Sequence, residues 1–597
     1  MFLKRFLPAF LCLPLIVVAC LMSAALTAGS HSSPLTFEGV RGDLDGDGVL
    51  SAYDLALYLQ YLSGENSLSA DALARADMNG DGKTDEADLM LLQRYLSGGD
   101  VSVGLRVAYV PLDNRPINQE RVILLAQAIG IELVMPEEHL YRTALDNMEP
   151  NPNGDTIGDR KALLDWLTEA DKTCDVFIIS LDQLLSGGLV GSRWLDNTDL
   201  SFEYEIIDEV ADLCKNNTVI LFDVVMRLAS TSEYQGLGLD VYEALRKYGM
   251  QARKQLYGEE LTLENIIAGY RYDENGQTVP FSKGEEILEH YLRSRERKLR
   301  LADHLLRNVG NDMEFLYIGT DDSYPQVTIQ TNELRYLDGL IGDRGVVYSG
   351  TDELGLCCLA RVATLLYGSL QVNISYYGPG ENLPSDDYDI GTFGDMIDSH
   401  LTLLNVTKTE DTKNALQVLI LTRASTTEDR RALLSQLKSN LDRKIPTTVI
   451  DASGKAGELA TMLFYESDIP IGELFGYSSW NTAGNAAGTA LAIGISRYAY
   501  LSSVPESTPT ANDGFVKCMA FAYVKDICYK QFHYSIDGIE KENYTCSVPL
   551  ILRRLNASKI ITSLSPYQKS AHGEVTVSDF RYPWNRKFEM TFDIEVG

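Results

Sequence analysis

The chain reads as an α/β protein. A (β/α)8-barrel-like large domain is preceded by a small all-α unit of two loop-helix repeats and followed by a small mixed α/β appendage. Three observations predict this. Nine apolar, strand-like runs alternate with helical patterns between residues 104 and 500. The strings Asp43-Leu-Asp-Gly-Asp-Gly and Asp77-Met-Asn-Gly-Asp-Gly repeat one acidic loop pattern near the N-terminus. Alternation of strand-like residues returns only after residue 573, behind a helical stretch.

Residues 1–28 have the layout of a secretory signal: Lys4 and Arg5, an apolar run from Phe6 to about Leu26, then polar Gly29-Ser-His-Ser-Ser. A retained anchor is one alternative. Lipid attachment at Cys20, which closes Val17-Val-Ala-Cys, is another and would be the chain's route to a membrane. The expected location is extracellular. A net charge of −32 excludes nucleic acid as a partner, because phosphates would be repelled. Beyond the signal stand Cys174, Cys214, Cys357, Cys358, Cys518, Cys528 and Cys546, an odd number without a CxxC pair. Neither a disulfide framework nor a zinc site is indicated.

Residues 38–100 form the repeat unit. The first loop offers Asp43, Asp45, Asp47, the Val49 carbonyl, Ser51 (directly or through a water) and Asp54; the second offers Asp77, Asn79, Asp81, the Lys83 carbonyl, Asp85 and Asp88. Calcium takes six to eight hard oxygen ligands, and Gly at loop position 6 lets the backbone wrap the ion, so two Ca2+ ions are expected. Each loop runs into a short apolar helix closed by Ser-Gly, and no helix is expected ahead of either loop. This pair of loop-helix units resembles a dockerin. The resemblance implies calcium-dependent folding and docking onto a cohesin module of a cellulosome-type scaffold. Position 12 is Asp in both loops, as is usual in dockerins. Partner choice in that family sits at loop positions 10 and 11 and on the helix. Here those are Ala52 and Tyr53 against Glu86 and Ala87, and Gln60 against Arg94, so the two faces differ.

In the 104–500 segment the strand candidates are 106–112, 176–181, 219–225, 314–320, 346–350, 371–376, 417–422, 447–450 and 474–478. Helical patterns are clearest at 290–308, 354–366 and 427–441. Near-continuous apolar strands separated by helices indicate a parallel sheet buried on both faces. A (β/α)8 barrel fits such a count, and two doubly wound α/β domains are the alternative. Residues 501–597 are expected to add a helix near 515–531 and strands in 573–596.

Active sites in parallel α/β folds gather at the C-terminal ends of strands, and here those ends are crowded with polar residues. They supply Asp113, Asn114, Arg115 and Asn118; Asp182; Arg227; Asp321, Asp322 and Tyr324; Asp352 and Glu353; Arg423; and Trp480, Asn481 and Asn485. Their convergence on one pocket is the central expectation. The strings Val110-Pro-Leu-Asp-Asn-Arg-Pro-Ile-Asn118, Thr320-Asp-Asp-Ser-Tyr-Pro-Gln326 and Trp480-Asn-Thr-Ala-Gly-Asn485 resemble a bacterial family, domain-of-unknown-function family 4127, over about residues 106–500. That resemblance implies an intact domain and brings no activity with it.

Glycosidic bonds are cleaved by two carboxylates, one protonating the leaving oxygen and the other attacking or activating water. The Asp321-Asp322 pair is similar to the acidic pair of substrate-assisted hexosaminidases. Carried over, Asp321 would polarise a 2-acetamido group and Asp322 would protonate the leaving oxygen. Alternatively Asp322 works with Asp352 or Glu353. Trp480 and Tyr324 could stack on a pyranose, and Asn481, Asn485 and Asn118 could bind hydroxyls. Arg115, Arg227 and Arg423 could bind a carboxylate, or hold Asp113 and Asp182 in buried pairs. The chain has no HExxH, Gly-x-Ser-x-Gly, Walker or Rossmann fingerprint, and no His at a strand end, so no catalytic cofactor is expected. The sequence thus reads as a secreted, scaffold-bound glycoside hydrolase acting on polysaccharide or hexosaminide. A non-catalytic glycan-binding component and a carbohydrate esterase or peptidase are the alternatives.

Overall fold

The computed structural model describes residues 40–78, 83–96, 105–310, 312–384, 389–454, 456–480, 482–533, 547–586 and 589–597. The signal segment with Cys20, and Asn79, Asp81 and Asn481, lie outside the described residues. Among the described residues no helix is long and apolar enough to cross a membrane.

Three helices make the N-terminal unit: α1 (Ala52–Leu62), α2 (Ala70–Ala76) and α3 (Glu86–Leu96). Ser51 starts α1 with a capping box, accepting from the Tyr53 N–H at 3.0 Å while Asp54 accepts from the Ser51 N–H at 2.8 Å. A helix does precede the second loop, contrary to the sequence expectation. Four alanines and a Ser69 cap give α2 enough helix preference to form over seven residues, with Ala72 and Ala76 buried. Leu44, Tyr58, Ala76, Met78, Leu89 and Leu92 form the unit's core, and the Tyr58 hydroxyl donates to the Ala76 carbonyl at 2.8 Å.

The large domain holds two open parallel sheets. The first contains β1 (Arg106–Val110), β2 (Glu132–Val134), β3 (Val176–Ser180), β4 (Thr218–Val225), β5 (Phe315–Thr320) and β6 (Gly345–Ser349), in the order β2-β1-β3-β4-β5-β6. The second contains β7 (Leu370–Tyr377), β8 (Val406–Lys408), β9 (Leu416–Leu421), β10 (Thr447–Asp451) and β11 (Gly476–Ser478), in the order β8-β7-β9-β10-β11. Every pairing in both sheets is parallel. Both sheets therefore repeat one doubly wound order. The second strand of each adds on one side of the first, and the third strand adds on the other.

This corrects the barrel expectation in favour of its alternative. A barrel leaves no edge, whereas β2 and β6 bound one sheet and β8 and β11 bound the other. Alternating apolar strands and helices are common to both architectures, so periodicity could not choose between them. All nine expected strands are present. The two unexpected ones, β2 and β8, are three-residue edges next to the strand reversals.

Six further helices set the packing: α4 (Glu120–Ala128), α5 (Glu285–Asn308), α6 (Leu354–Tyr367), α7 (Phe393–Leu403), α8 (Ala483–Ser503) and α9 (Pro509–Phe521). Helix α6 packs on β3 and β4, α8 packs on β9, β10 and β11, and the two helices pack on each other. The helix layers of the two sheets thus share one core. Small residues make this close approach feasible. A side chain at Gly476 would begin 2.6 Å from the Ala490 carbonyl of α8. After α9 the chain continues as a π-helix (Ala522–His533), then forms two antiparallel hairpins, β12 (Ile560–Leu564) with β13 (Tyr567–Ser570) and β14 (Val575–Arg581) with β15 (Thr591–Val596).

Candidate functional site

The strand ends of the first sheet gather many of the sequence candidates into separate ion-paired clusters, one around Arg115 and another at Asp321 and Asp322. After β1, Arg115 grips Asp113 (Nη2–Oδ2 2.9 Å), Asp352 from the end of β6 (2.8 Å) and Glu589 from the C-terminal segment (3.4 Å). Asn118 donates to Asp113 at 2.8 Å. Asn114 accepts from the Trp584 indole at 2.9 Å, and Arg115 lies 5.1 Å over that ring. The C-terminal segment is therefore not a separate appendage at this point. It closes over the end of β1.

After β5, Asp321 pairs with Arg193 and Asp322 pairs with Arg227 at 3.1 Å. Arg227 also donates to the Ser230 carbonyl at 2.9 Å, and Arg295 of α5 holds the Met226 and Arg227 carbonyls at 2.9 and 2.8 Å. Arg295 is itself fixed by two 2.6 Å contacts to Glu333. The loop after β4 is thus pinned from behind, which orients Arg227 toward Asp322. Asp322 has φ +27°, a turn conformation that it shares with nine other non-glycine residues among those described and that Asp adopts more readily than most.

Burial sorts the carboxylates. The side chains of Asp113, Asp182 and Glu353 are fully buried, whereas Asp322 keeps 31% and Asp352 17% of their side-chain exposure. Glu353 is a structural hub. It accepts from Asn485 at 2.6 Å, faces His400 and the Tyr348 hydroxyl at 3.4 Å, and ties the end of β6 to α7 and α8. Its expected acid or nucleophile role is thereby corrected, since no solvent-side ligand reaches it. Asn485 serves the same hub. Trp480 is also fully buried, with Arg121 and Lys525 at 5.7 and 5.2 Å from its ring, so it offers no open face to a sugar. Tyr324 is half-buried and, with Pro325, Gln326, Leu383, Pro384 and the exposed Arg423, lines a cleft of about 320 Å³. Leu383 follows β7 and Arg423 follows β9, so the cleft opens at the strand reversal of the second sheet, where open α/β sheets bind ligands.

Burial pushes the Asp321 carboxyl up to about 6, opposed by the Arg193 charge and reinforced by Asp322. Arg193 is lowered to about 10 by burial and by the neighbouring Arg227. Asp182 and Asp223 share Lys298 of α5, whose Nζ lies 2.7 Å from Asp182. One ammonium cannot neutralise two buried carboxylates. Lys298 is accordingly held charged, while burial pushes Asp223 up to about 6. Asp182 is therefore part of a buried ion triad, not a substrate contact. Replacing Lys298 by Met leaves both carboxylates buried and uncompensated. The expected loss is about 3–5 kcal/mol of unfolding free energy, read by denaturant titration.

The raised Asp321 and Asp223 carboxyls also set a pH dependence. In the unfolded chain both titrate near the ordinary value of 3.8, in the fold at about 6. Their stabilising contribution is present below about 4 and is lost as pH rises through 6. The unfolding midpoint should therefore fall less between pH 7 and pH 5 in the native chain than in Asp223→Asn, measured by calorimetry.

Sequence reading missed Arg193, Lys298, Arg295, Lys525, Arg586 and Glu589. The only signal for Arg295 and Lys298 was a long charged helix that reads as solvent-facing. The strings on the ordered strand ends also fit a known profile: that of a family described as Protein of unknown function (DUF4127) matches residues 107–593.

The chain belongs to the DUF4127 family.

The match runs through the C-terminal hairpins, in keeping with the contacts of Trp584 and Glu589, and extends beyond the 106–500 span read from the motifs. A Dockerin type I domain matches residues 41–97. No curated protein and no solved structure matches the chain. This DUF4127 protein is thus a cellulosome-type component. Its dockerin binds calcium and docks on cohesin modules of scaffoldins, which places it outside the cell.

The first dockerin loop fits the ion. Carboxylate oxygens of Asp43, Asp45 and Asp47 lie within 4.8 Å of one another, and Gly46 and Gly48 take φ +76° and +82°. Asp54 is turned inward, accepting from the Leu44 and Ser51 N–H groups at 2.8 Å each. With the Val49 carbonyl and Ser51, these residues would hold a calcium ion. In the second loop Asp85 N donates to Asp88 at 3.0 Å, repeating the Ser51–Asp54 contact, while Asp77 and Lys83 lie before and after the undescribed residues 79–82. Tyr53 is 61% exposed, and Ala52, Gln60, Glu86 and Arg94 are exposed too, so these positions, which the sequence analysis links to partner choice, are open to solvent.

Proposed function

We propose that the DUF4127 domain cleaves glycosidic bonds in polysaccharide delivered to it on the scaffold, with Asp322 as the acid/base and Asp352 as the second carboxylate. One observation carries this reading: among the strand-end carboxylates of the first sheet, Asp322 and Asp352 retain the most exposure, while Asp113, Asp182 and Glu353 serve the fold. Asp321 stands behind them, engaged with Arg193, and positions the loop instead of meeting the leaving group. Tyr324, on the cleft wall two residues beyond Asp322, supplies a ring for a pyranose face. The 2-acetamido mechanism would need Asp321 at the substrate. Its buried pair with Arg193 favours the Asp322/Asp352 arrangement.

A second reading rests on the arginines. Both partly exposed carboxylates are already paired, Asp322 with Arg227 and Asp352 with Arg115, which also suits a non-catalytic glycan-binding component. The purified protein should be incubated with aryl glycosides and a polysaccharide panel while reducing ends, acetate and amino acids are followed. Reducing ends alone are the expected product. Acetate or amino acids alone would assign an esterase or peptidase, and binding without any product would assign the binding component.

A further inference from the structure

The dockerin and the first sheet meet at an ion pair. Arg41, two residues ahead of the loop ligand Asp43, donates through Nη2 to both carboxylate oxygens of Asp175, at 3.0 and 3.3 Å. Asp175 immediately precedes β3, and its Oδ2 also accepts from the N–H of Arg106, the first residue of β1, at 2.9 Å. The sheet itself therefore fixes the acceptor. The dockerin fixes the donor in the same way. The Gly42 N–H donates to the Arg75 carbonyl at 2.7 Å, and Arg75 Nε donates to the Asp43 carbonyl at 2.5 Å. Gly42 sits at φ +86° against the core of the unit, where a side chain would begin 2.8 Å from the Met78 sulfur. Between these anchors the Arg41 side chain keeps only 10% of its exposure.

The path of the chain supports the same placement independently. Helix α3 ends at Leu96 and β1 begins at Arg106, so the connection reaches at most about 36 Å. Every strand of the first sheet is parallel, so β1 and β3 both start on one edge, while Asp113, Asp321 and Asp352 follow strands on the opposite edge. A tether this short gives the two partners an effective concentration in about the millimolar range, at which even a weak contact is populated.

We propose that the N-terminal edge of the first sheet is an interaction surface for the chain's own dockerin, latched by Arg41 on Asp175, so that a scaffold-bound molecule presents its strand-end carboxylates away from the cohesin. Tyr53, Gln60, Glu86 and Arg94 stay exposed with the latch closed, so docking does not require it to open. The placement holds whichever reaction the strand ends perform.

Single-molecule energy transfer tests it on the full chain in calcium, with dyes carried by non-natural residues at the exposed positions Ser63 and Lys161. One narrow population is expected for the native chain, with or without cohesin. Arg41→Gln and Asp175→Asn should each lower the ratio of latched to open molecules about ten-fold, as for a lost charge-assisted hydrogen bond. Arg41→Lys keeps the charge and should lose less. Arg41→Gln leaves the large domain untouched, and retained cohesin binding shows that its dockerin is folded. A native distribution as broad as those of the variants overturns the proposal, and so does a narrow one that neither variant changes. Loss of the narrow population when cohesin is added would overturn it too.

Discussion

Excess EDTA abolishes cohesin binding by the full chain and removes the helical signal of its N-terminal unit, while the large domain keeps its unfolding midpoint. Three carboxylates of the first loop stand within 4.8 Å, and only an ion between them turns mutual repulsion into cohesion. A site saturated a hundred-fold above its dissociation constant adds about 2.7 kcal/mol, so two occupied loops would add roughly 5 kcal/mol. That is about the whole stability expected of a domain this small. Its core supports the same conclusion, because six buried residues and a ring of partly buried leucines cannot replace the metal. Circular dichroism and surface-bound cohesin report the two halves of the result. Undiminished docking in excess chelator would sink the claim.

What could be read in the chain beforehand divides along physical lines. The calcium loops were legible because their chemistry is local: spacing, oxygen donors and glycine sit within twelve residues. The nine expected strands were legible because burial leaves near-continuous apolar runs, which even the three-residue β11 continues from Leu474 and Phe475. Sheet closure was not, since the order of strands is set by which side the second strand joins, and β2 and β8 are three residues each. The strand-end carboxylates were found as a group, but their ranking needed burial. Glu353 and Asp322 look alike in sequence, yet one lies buried at the centre of a hydrogen-bonded hub and the other stays partly exposed. Trp480 shows the same limit. A tryptophan at a strand end reads as a sugar platform until Arg121 and Lys525 are seen against its ring. Partners from far along the chain were hidden altogether. Glu589 lies 474 positions from Arg115, and nothing local marks the pairing.

Asp322→Asn should lower the rate of glycosidic cleavage by about 10²- to 10⁴-fold, the usual contribution of a positioned general acid/base. The substitution is well suited to a clean reading. Asn keeps the shape of the side chain and tolerates the +27° φ at this position better than most residues, so the turn after β5 should persist. Arg227 loses one ionic partner but keeps the Ser230 and Ala229 carbonyls, and its other neighbours are unaffected. Stability should therefore change little while the chemistry is lost. The decisive measurement is the appearance of new reducing ends against time for native protein and Asp322→Asn, on one polysaccharide, at matched unfolding midpoints. The native protein should release reducing ends, and the variant should release them at least about a hundred-fold more slowly. Equal rates would contradict the assignment and remove Asp322 from the mechanism.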